Sequence, residues 1–154
     1  MPCLKCANQP GYHSFIKFGK CNDANLFYTS PAKSKDFDDD GTKLSNVTIH
    51  VQEETEKKPW IWVMDCGNMT FANYTEMQFN AGIANLVSSD PMLQEVWIVR
   101  SNVWIRTTIA FFQAFSSAKI FERIYYIDGS PLEQLEILQK KGVDSNIANW
   151  LIQQ

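Results

Sequence analysis

Two continuous apolar segments constrain the fold of this 154-residue chain more than any other feature. Residues 60–64 (Trp-Ile-Trp-Val-Met) and 96–99 (Val-Trp-Ile-Val) contain only large apolar side chains, most of them β-branched or aromatic. A strand with one face in water alternates polar and apolar residues, whereas an uninterrupted apolar strand is covered on both faces. The two segments therefore predict central strands of a sheet that lies between layers of helices.

Helical periodicity follows each of these strands. Residues 71–87 and 103–116 place apolar side chains at intervals of three and four, which predicts two amphipathic helices. Residues 123–127 predict a further strand, which ends before an Asp-Gly pair. Such alternation of strands and helices is typical of parallel strands joined by right-handed crossovers.

Helix-start signals follow the last predicted strand. Ser130 is suited to cap a helix, and Pro131 is suited to its first position. A final short helix is predicted after a cap at either Asp144 or Ser145. The whole pattern predicts an α/β fold with a mixed, mostly parallel sheet flanked by helices, in a single domain over residues 1–154.

The amino-terminal third is less regular, and residues 1–25 are its least defined part. A short strand is predicted at residues 26–28, and residues 34–45 are predicted to form a polar loop. A half-buried strand is predicted where three apolar residues alternate with polar ones: Val47, Ile49 and Val51.

Charge and composition exclude several classes of function. The net charge of −3 lacks the excess of lysine and arginine that nucleic-acid binding needs. No apolar run approaches the ~20 residues of a membrane span, and residues 1–6 do not resemble an export signal. Four cysteines are too few for a secreted disulfide scaffold. We therefore expect a cytoplasmic protein that binds no nucleic acid. The composition is also compatible with peripheral contact to membranes.

Four residues have the chemistry of a metal site: Cys3, Cys6, His13 and Cys21. A Cys-x-x-Cys pair can supply two of the four ligands of zinc. A matching second pair is missing, however, and the spacing from His13 to Cys21 is not that of a standard site. Ordinary thiols are the favoured interpretation, with no metal and no cofactor.

Asp65-Cys66-Gly67 lies at the end of a predicted strand, where α/β proteins often place functional residues. Cys66 could serve as a nucleophile only with a nearby base, such as His50 or His13, and an oxyanion site. The sequence demonstrates neither, so Cys66 is predicted to be a buried structural thiol. Phosphate-binding and dinucleotide-binding glycine motifs are also missing. The chain is therefore predicted not to be an enzyme.

Three segments in a fixed order carry a resemblance to a known family. They are residues 60–67, a strand ending in Asp-x-Gly; residues 96–107, a strand-to-helix junction; and residues 113–120 (Gln-Ala-Phe-Ser-Ser-Ala-Lys-Ile). In order and spacing they resemble the CRAL-TRIO (Sec14-like) superfamily over about residues 60–140. The spacing between Trp104 and Lys119 is closest to the BCH branch of that superfamily.

The resemblance implies one of two functions. Sec14-like members have a lipid-sized pocket, which implies non-enzymatic binding of a lipid or another hydrophobic small molecule, as a carrier or sensor. BCH members are mainly known as protein-interaction scaffolds, which implies a filled cavity, self-association into a homodimer, or contact with small GTPase regulators.

The predicted ligand-binding residues combine an aromatic set with two basic side chains. Ligand pockets are mostly apolar with a few placed polar groups, so the aromatic residues would line the cavity and the two charges would neutralise a head group. The alternative is that the aromatic residues fill the core and the charges lie at the surface. The residues are Trp62, Trp97, Trp104, Arg106, Phe111, Phe112, Phe115 and Lys119.

Overall fold

Strands and helices alternate along the chain. The computed structural model describes residues 14–33, 43–69, 87–115 and 119–154, together with residues 8 and 85. The strands are β1 (Ile16–Cys21), β2 (Ala24–Thr29), β3 (Trp60–Asp65), β4 (Leu93–Val99) and β5 (Ile124–Ile127). The helices are α1 (Lys43–Thr55), α2 (Val103–Phe115), α3 (Pro131–Lys140) and α4 (Ser145–Ile152), with short 3-10 turns at Pro31–Lys33 and Lys119–Arg123.

In the described residues the five strands form one sheet, whose order across the sheet follows their order along the chain. β2, β3, β4 and β5 pair in parallel, whereas β1 pairs with β2 as an antiparallel hairpin. The hairpin turns at Asn22 and Asp23, and Asn22 has a φ of 54°, a conformation that asparagine tolerates better than most residues. The predicted α/β class with a mixed, mostly parallel sheet is confirmed. The strand β1 was not predicted.

Side chains alternate between the two faces of the sheet, and each face carries its own core. Phe27, Trp60 and Trp62 lie in one cluster with side chains of α1 and α2, and we name this side the α1/α2 face. Ile61 and Val63 point the other way and pack with α3 and α4, on the α3/α4 face. Helix α1 connects β2 to β3, and α2 connects β4 to β5. Right-handed crossovers that progress in one direction across a sheet place their helices on the same face. Helices α3 and α4 follow the last strand and cover the other face.

The strand predicted from Val47, Ile49 and Val51 is wrong, because these residues belong to helix α1. Val51 is buried against the sheet, and Val47 packs against the same cluster one turn earlier. Ile49 lies on the other side of the helix and is 47% exposed. Val47 and Val51 are four residues apart, so they share a helix face as well as a strand face. Residues 43–45 of the predicted loop also belong to α1, and its remaining residues lie outside the described ones.

The predicted caps near the carboxyl end are confirmed. The Ser130 hydroxyl accepts a hydrogen bond from the Glu133 N–H, and Pro131 is the first residue of α3. Asp144, rather than Ser145, caps α4 through its carboxylate. Of the helix predicted at residues 71–87, only Asn85 and Val87 are described, and both are helical.

Within the described ranges, no helix has both the length and the apolar character that a membrane crossing requires.

Candidate functional site

Helix α2 carries most of the predicted ligand-binding residues, and its position is set at its first turn. The Asn102 side chain accepts a hydrogen bond from the Ile105 N–H at 3.0 Å, which caps the helix. The Arg106 guanidinium forms an ion pair with Asp128, which follows β5. Its Nε also donates to the Ser101 hydroxyl at 3.1 Å. These contacts fasten the amino end of α2 to the carboxyl edge of the sheet.

The face of α2 that meets the sheet includes Phe112 but not Trp104 or Phe111 of the predicted aromatic set. Ile105, Ile109 and Phe112 pack against the core of the α1/α2 face and are each partly buried. Trp104 is 56% exposed and Phe111 is 51% exposed, so they point outward and the predicted inward stripe is wrong for them. Positions 105, 109 and 112 form one row of the helix, and positions 104 and 111 belong to the next row, about 100° around the axis. The side chain of Phe115 lies outside the described set.

Trp62 and Trp97 lie on opposite faces of the sheet. Trp62 belongs to the α1/α2 face, and its indole N–H donates to the Thr29 hydroxyl at 2.7 Å. Trp97 belongs to the α3/α4 face, and its indole N–H donates to the Glu95 carboxylate at 2.6 Å. A single cavity beneath α2 could be lined by Trp62 but not by Trp97. Ligand binding by Trp62 and by Phe112 of α2 stays a prediction.

The two predicted head-group cations differ in their surroundings. The Arg106 charge is paired with Asp128, and its guanidinium also lies 4.0 Å from the centre of the Tyr126 ring. Lys119 is exposed in the 3-10 turn before β5. An anionic ligand would therefore have to compete with Asp128 for Arg106, whereas Lys119 stands in solvent.

A cluster that was not predicted lies at the carboxyl edge of the parallel strands. Arg100 binds the Asp65 carboxylate through two nitrogens, Nε at 2.7 Å and Nη2 at 2.6 Å. The Tyr28 hydroxyl donates to the same carboxylate at 2.6 Å, and the Gly67 N–H donates at 2.9 Å. Arg100 also donates to the carbonyl of Leu151 at 3.3 Å, which ties α4 to the sheet. The sequence signal is a charged residue at the end of each of two adjacent apolar strands.

The electrostatics of this cluster keep Asp65 charged. Burial alone would raise the pKa of Asp65, but hydrogen bonds from Arg100, Tyr28 and Gly67 outweigh it and hold the pKa below its usual value. The same contacts with Asp65 raise the pKa of Arg100. Burial and the neighbouring carboxylate raise the pKa of Tyr28, which stays a neutral donor. The cluster is therefore an internally balanced ion pair that joins three strands.

The candidate nucleophile Cys66 is buried, as predicted. Burial, together with the charge of Asp65, raises the pKa of its thiol to about 12, which favours the unreactive protonated form. His50 is also buried, and its ring meets that of Phe15 edge-on with 5.8 Å between the centroids. His13, the other base considered, lies outside the described residues.

Of the four candidate metal ligands, only Cys21 falls in the described part of the chain. Its thiol is buried and donates to the carbonyl of Lys141 at 3.0 Å. Among the described residues, no three histidine, cysteine or acidic side chains come together as a metal site. Cys3, Cys6 and His13 lie outside those residues, so the proposed group stays untested.

No protein-family model matches the chain, and no curated protein matches it. The CRAL-TRIO resemblance therefore stays a prediction from the sequence, and the α/β fold is compatible with it.

Proposed function

We propose that this domain is a non-enzymatic binder of a hydrophobic ligand, a lipid held between α2 and the α1/α2 face of the sheet. The observation that carries this proposal is that α2 has an exposed apolar row as well as an apolar row toward the sheet, while its sheet-facing residues are only partly buried. The apolar rows of a helix are normally covered by other apolar groups. The protein would act as a lipid carrier or sensor.

The interior beneath α2 offers a suitable surface for an acyl chain. Ile105, Ile109 and Phe112 meet a core that includes Trp62 and Ile98 of the central strands. An acyl chain inserted there would exchange the apolar contacts between α2 and the sheet for apolar contacts with the chain. Each methylene of the ligand that is buried contributes about 0.8 kcal/mol to the free energy of binding. The contacts at the amino end, from Asn102 and Arg106, would hold α2 to the domain as the acyl chain enters.

Native mass spectrometry and uptake of a fluorescent phospholipid test this proposal directly. Protein purified from cells should carry a co-purifying lipid, and delipidated protein should take up the probe. The variant Ile109→Trp should reduce uptake about fivefold or more by filling the space under α2. The matched control is Leu132→Trp, at an exposed position of α3 on the other face, and it should leave uptake unchanged. Wild-type protein that is uniformly free of lipid and takes up no probe would contradict the proposal.

The alternative is a protein-interaction scaffold of BCH type, and one observation favours it. Trp104 and Phe111 form an exposed apolar row on the outer side of α2, and Val103 at the start of the helix is also exposed. Exposed aromatic residues are enriched where proteins bind each other. In this function the inner side chains of α2 would fill the cavity, and the outer row would contact a partner such as a small GTPase regulator or a second copy.

Size-exclusion chromatography and pull-down of small GTPases and their regulators test the scaffold function. The double variant Trp104→Ser with Phe111→Ser should abolish self-association or partner capture, because it removes the exposed aromatic surface. Leu132→Ser provides a control, since it removes an exposed apolar side chain from α3 instead. A wild-type chain that is strictly monomeric and captures none of these proteins would argue against a scaffold.

We also propose a cytoplasmic location, with peripheral contact to membranes during lipid exchange. Cys21 and Cys66 are both free thiols, which suits a reducing compartment. Fractionation of cells should find the protein mainly in the cytosolic fraction, with a smaller amount on membranes that high salt or carbonate removes.

A further inference from the structure

The ammonium group of Lys141 lies among two aromatic rings and a carboxylate. Its Nζ is 3.7 Å from the centre of the Tyr125 ring and 5.2 Å from the centre of the Trp97 ring. The same nitrogen is 3.5 Å from an oxygen of Glu95, and that oxygen accepts the Trp97 indole hydrogen bond. Aromatic rings combined with a carboxylate are the means by which proteins bind organic cations.

The sheet itself assembles this group of side chains. Glu95 and Trp97 are two residues apart on β4, so both point to the α3/α4 face. Tyr125 is the direct neighbour of Trp97 on β5 and points the same way. Lys141 follows the last residue of α3, which packs on that face. The positions of Glu95, Trp97 and Tyr125 are therefore fixed by strand register, and only the ammonium group is on a flexible side chain.

A cavity of about 410 Å³ opens beside the Lys141 ammonium, between the β1–β2 turn and the amino ends of β3 and β4. This volume is within the usual range for small-molecule sites. Its wall is apolar at Ala24, Pro59 and Ile61 and acidic at Asp23 and Glu95. The cavity lies on the opposite side of the sheet from the inner surface of α2, so it is separate from the proposed lipid site.

We propose that this cavity binds a small organic cation of the quaternary or tertiary ammonium class, and that Lys141 occupies its charged end in the free protein. The ligand's ammonium group would take the place of the Lys141 ammonium beside Tyr125, Trp97 and Glu95. Its remaining atoms would lie against the apolar wall of the cavity. The long side chain of Lys141 has enough freedom to move its charge into solvent.

The charges of the cavity favour a cation over an anion. Two acidic residues, Asp23 and Glu95, and one basic residue, Lys141, line it. Cys21 also lines the cavity, and burial together with the charge of Glu95 raises the pKa of its thiol, so it adds no charge. A lysine ammonium is compact and strongly hydrated, whereas a quaternary ammonium has no N–H groups to desolvate when it enters an aromatic site. Such a ligand can therefore displace Lys141.

The proposal predicts opposite effects from the two members of the ion pair. Lys141→Met removes the internal competitor and keeps the length of the side chain, so affinity for the cation should rise about fivefold or more. Glu95→Gln removes the carboxylate that faces the ligand, so affinity should fall about fivefold or more. A cluster that only stabilises the fold would give no binding in either variant.

Nuclear magnetic resonance of the full ¹⁵N-labelled chain provides the test, with choline as the probe. The reporter is the indole N–H signal of Trp97, assigned from the spectrum of Trp97→Phe. Choline should shift this signal, whereas 3,3-dimethyl-1-butanol, its neutral analogue of the same shape, should have little effect. Dihexanoylphosphatidylcholine is titrated alongside: tighter binding than choline would assign the cation to a lipid head group, and weaker binding would assign it to a free amine.

Two results would overturn the proposal. One is a Trp97 signal that choline does not shift in the wild type or in Lys141→Met. The other is equal affinity for choline in these two proteins. If Lys141→Met does not give a folded spectrum, Lys141→Gln and Tyr125→Leu replace it, and they should strengthen and weaken binding respectively. Loss of this site would leave lipid uptake under α2 unchanged, because the two sites share no side chain.

Discussion

Asp65 is a buried carboxylate whose charge is balanced entirely by neighbouring donors. Its main partner, Arg100, is itself only partly exposed, so removal of the negative charge would leave a cation without its partner in a poorly hydrated place. We expect Asp65→Asn to lower the free energy of unfolding by about 3 kcal/mol, measured by urea denaturation at pH 7. Glu56→Gln breaks the solvent-exposed pair with Lys58 and should have no measurable effect. Equal stability of Asp65→Asn and the wild type would contradict this account.

The same residue predicts a dependence of stability on pH. The pKa of Asp65 is lower in the folded state than the ~3.9 of an unfolded chain, so the unfolded state takes up the proton first as the pH falls. The stabilising contribution of Asp65 is therefore complete above about pH 5 and is lost as the pH falls below 4 toward the folded pKa. The difference in unfolding free energy between the wild type and Asp65→Asn should narrow from pH 5 to pH 3. Urea titrations at several pH values measure it, and a constant difference would exclude Asp65 as the titrating group.

Among single elements, helix α1 shows how far a short pattern can mislead. Val47, Ile49 and Val51 alternate as in a strand, but two of the three are also spaced as on one helix face. Five residues are too few to distinguish the two-residue period of a strand from the 3.6-residue period of a helix. The full length of α1 does distinguish them, because the buried Thr55 continues the row of Val47 and Val51 at intervals of four. For α2 the sequence predicted the helix but not its rotation. Apolar residues occupy two different rows of this helix, so the row that faces inward is set by packing on the sheet rather than by pattern.

A pair of substitutions in α1 tests its orientation. Val51 is almost fully buried, so Val51→Ala should lower the free energy of unfolding by roughly 1–3 kcal/mol. Ile49 is largely exposed, and alanine favours helices, so Ile49→Ala should change stability by less than about 0.5 kcal/mol. Chemical denaturation of the two variants measures the contrast. Similar losses in both would mean that the two side chains share one buried face, as in a strand.

For the molecule as a whole, the layers of sheet and helices could be predicted because each strand or helix has its own local pattern of apolar residues. The uninterrupted apolar segments at residues 60–64 of β3 and 96–99 of β4 required cover on both faces, and both faces are covered. The sites could not be predicted in this way. Asp65 and Arg100 are 35 residues apart and meet only because β3 and β4 are parallel neighbours. Trp62 and Trp97 looked alike as aromatic residues of two buried strands, and only the strand register separates them onto opposite faces.

The central position of β3 predicts a gradient of stability across the sheet. β3 has a hydrogen-bonded neighbour on each side, and its Trp60 and Val63 side chains are completely buried. Among the described strands, β1 has one ladder, with β2, and beyond it an isolated bridge between Cys21 and Val143. It can therefore detach by breaking that ladder and one bridge, whereas opening β3 requires two ladders and both cores to come apart. Hydrogen–deuterium exchange measured on peptides should therefore be at least about tenfold slower in β3 than in β1. Equal rates would mean that the hairpin and the parallel strands open as one cooperative unit. The two cores would then be thermodynamically coupled through the sheet, and a ligand bound on either face would slow exchange in both.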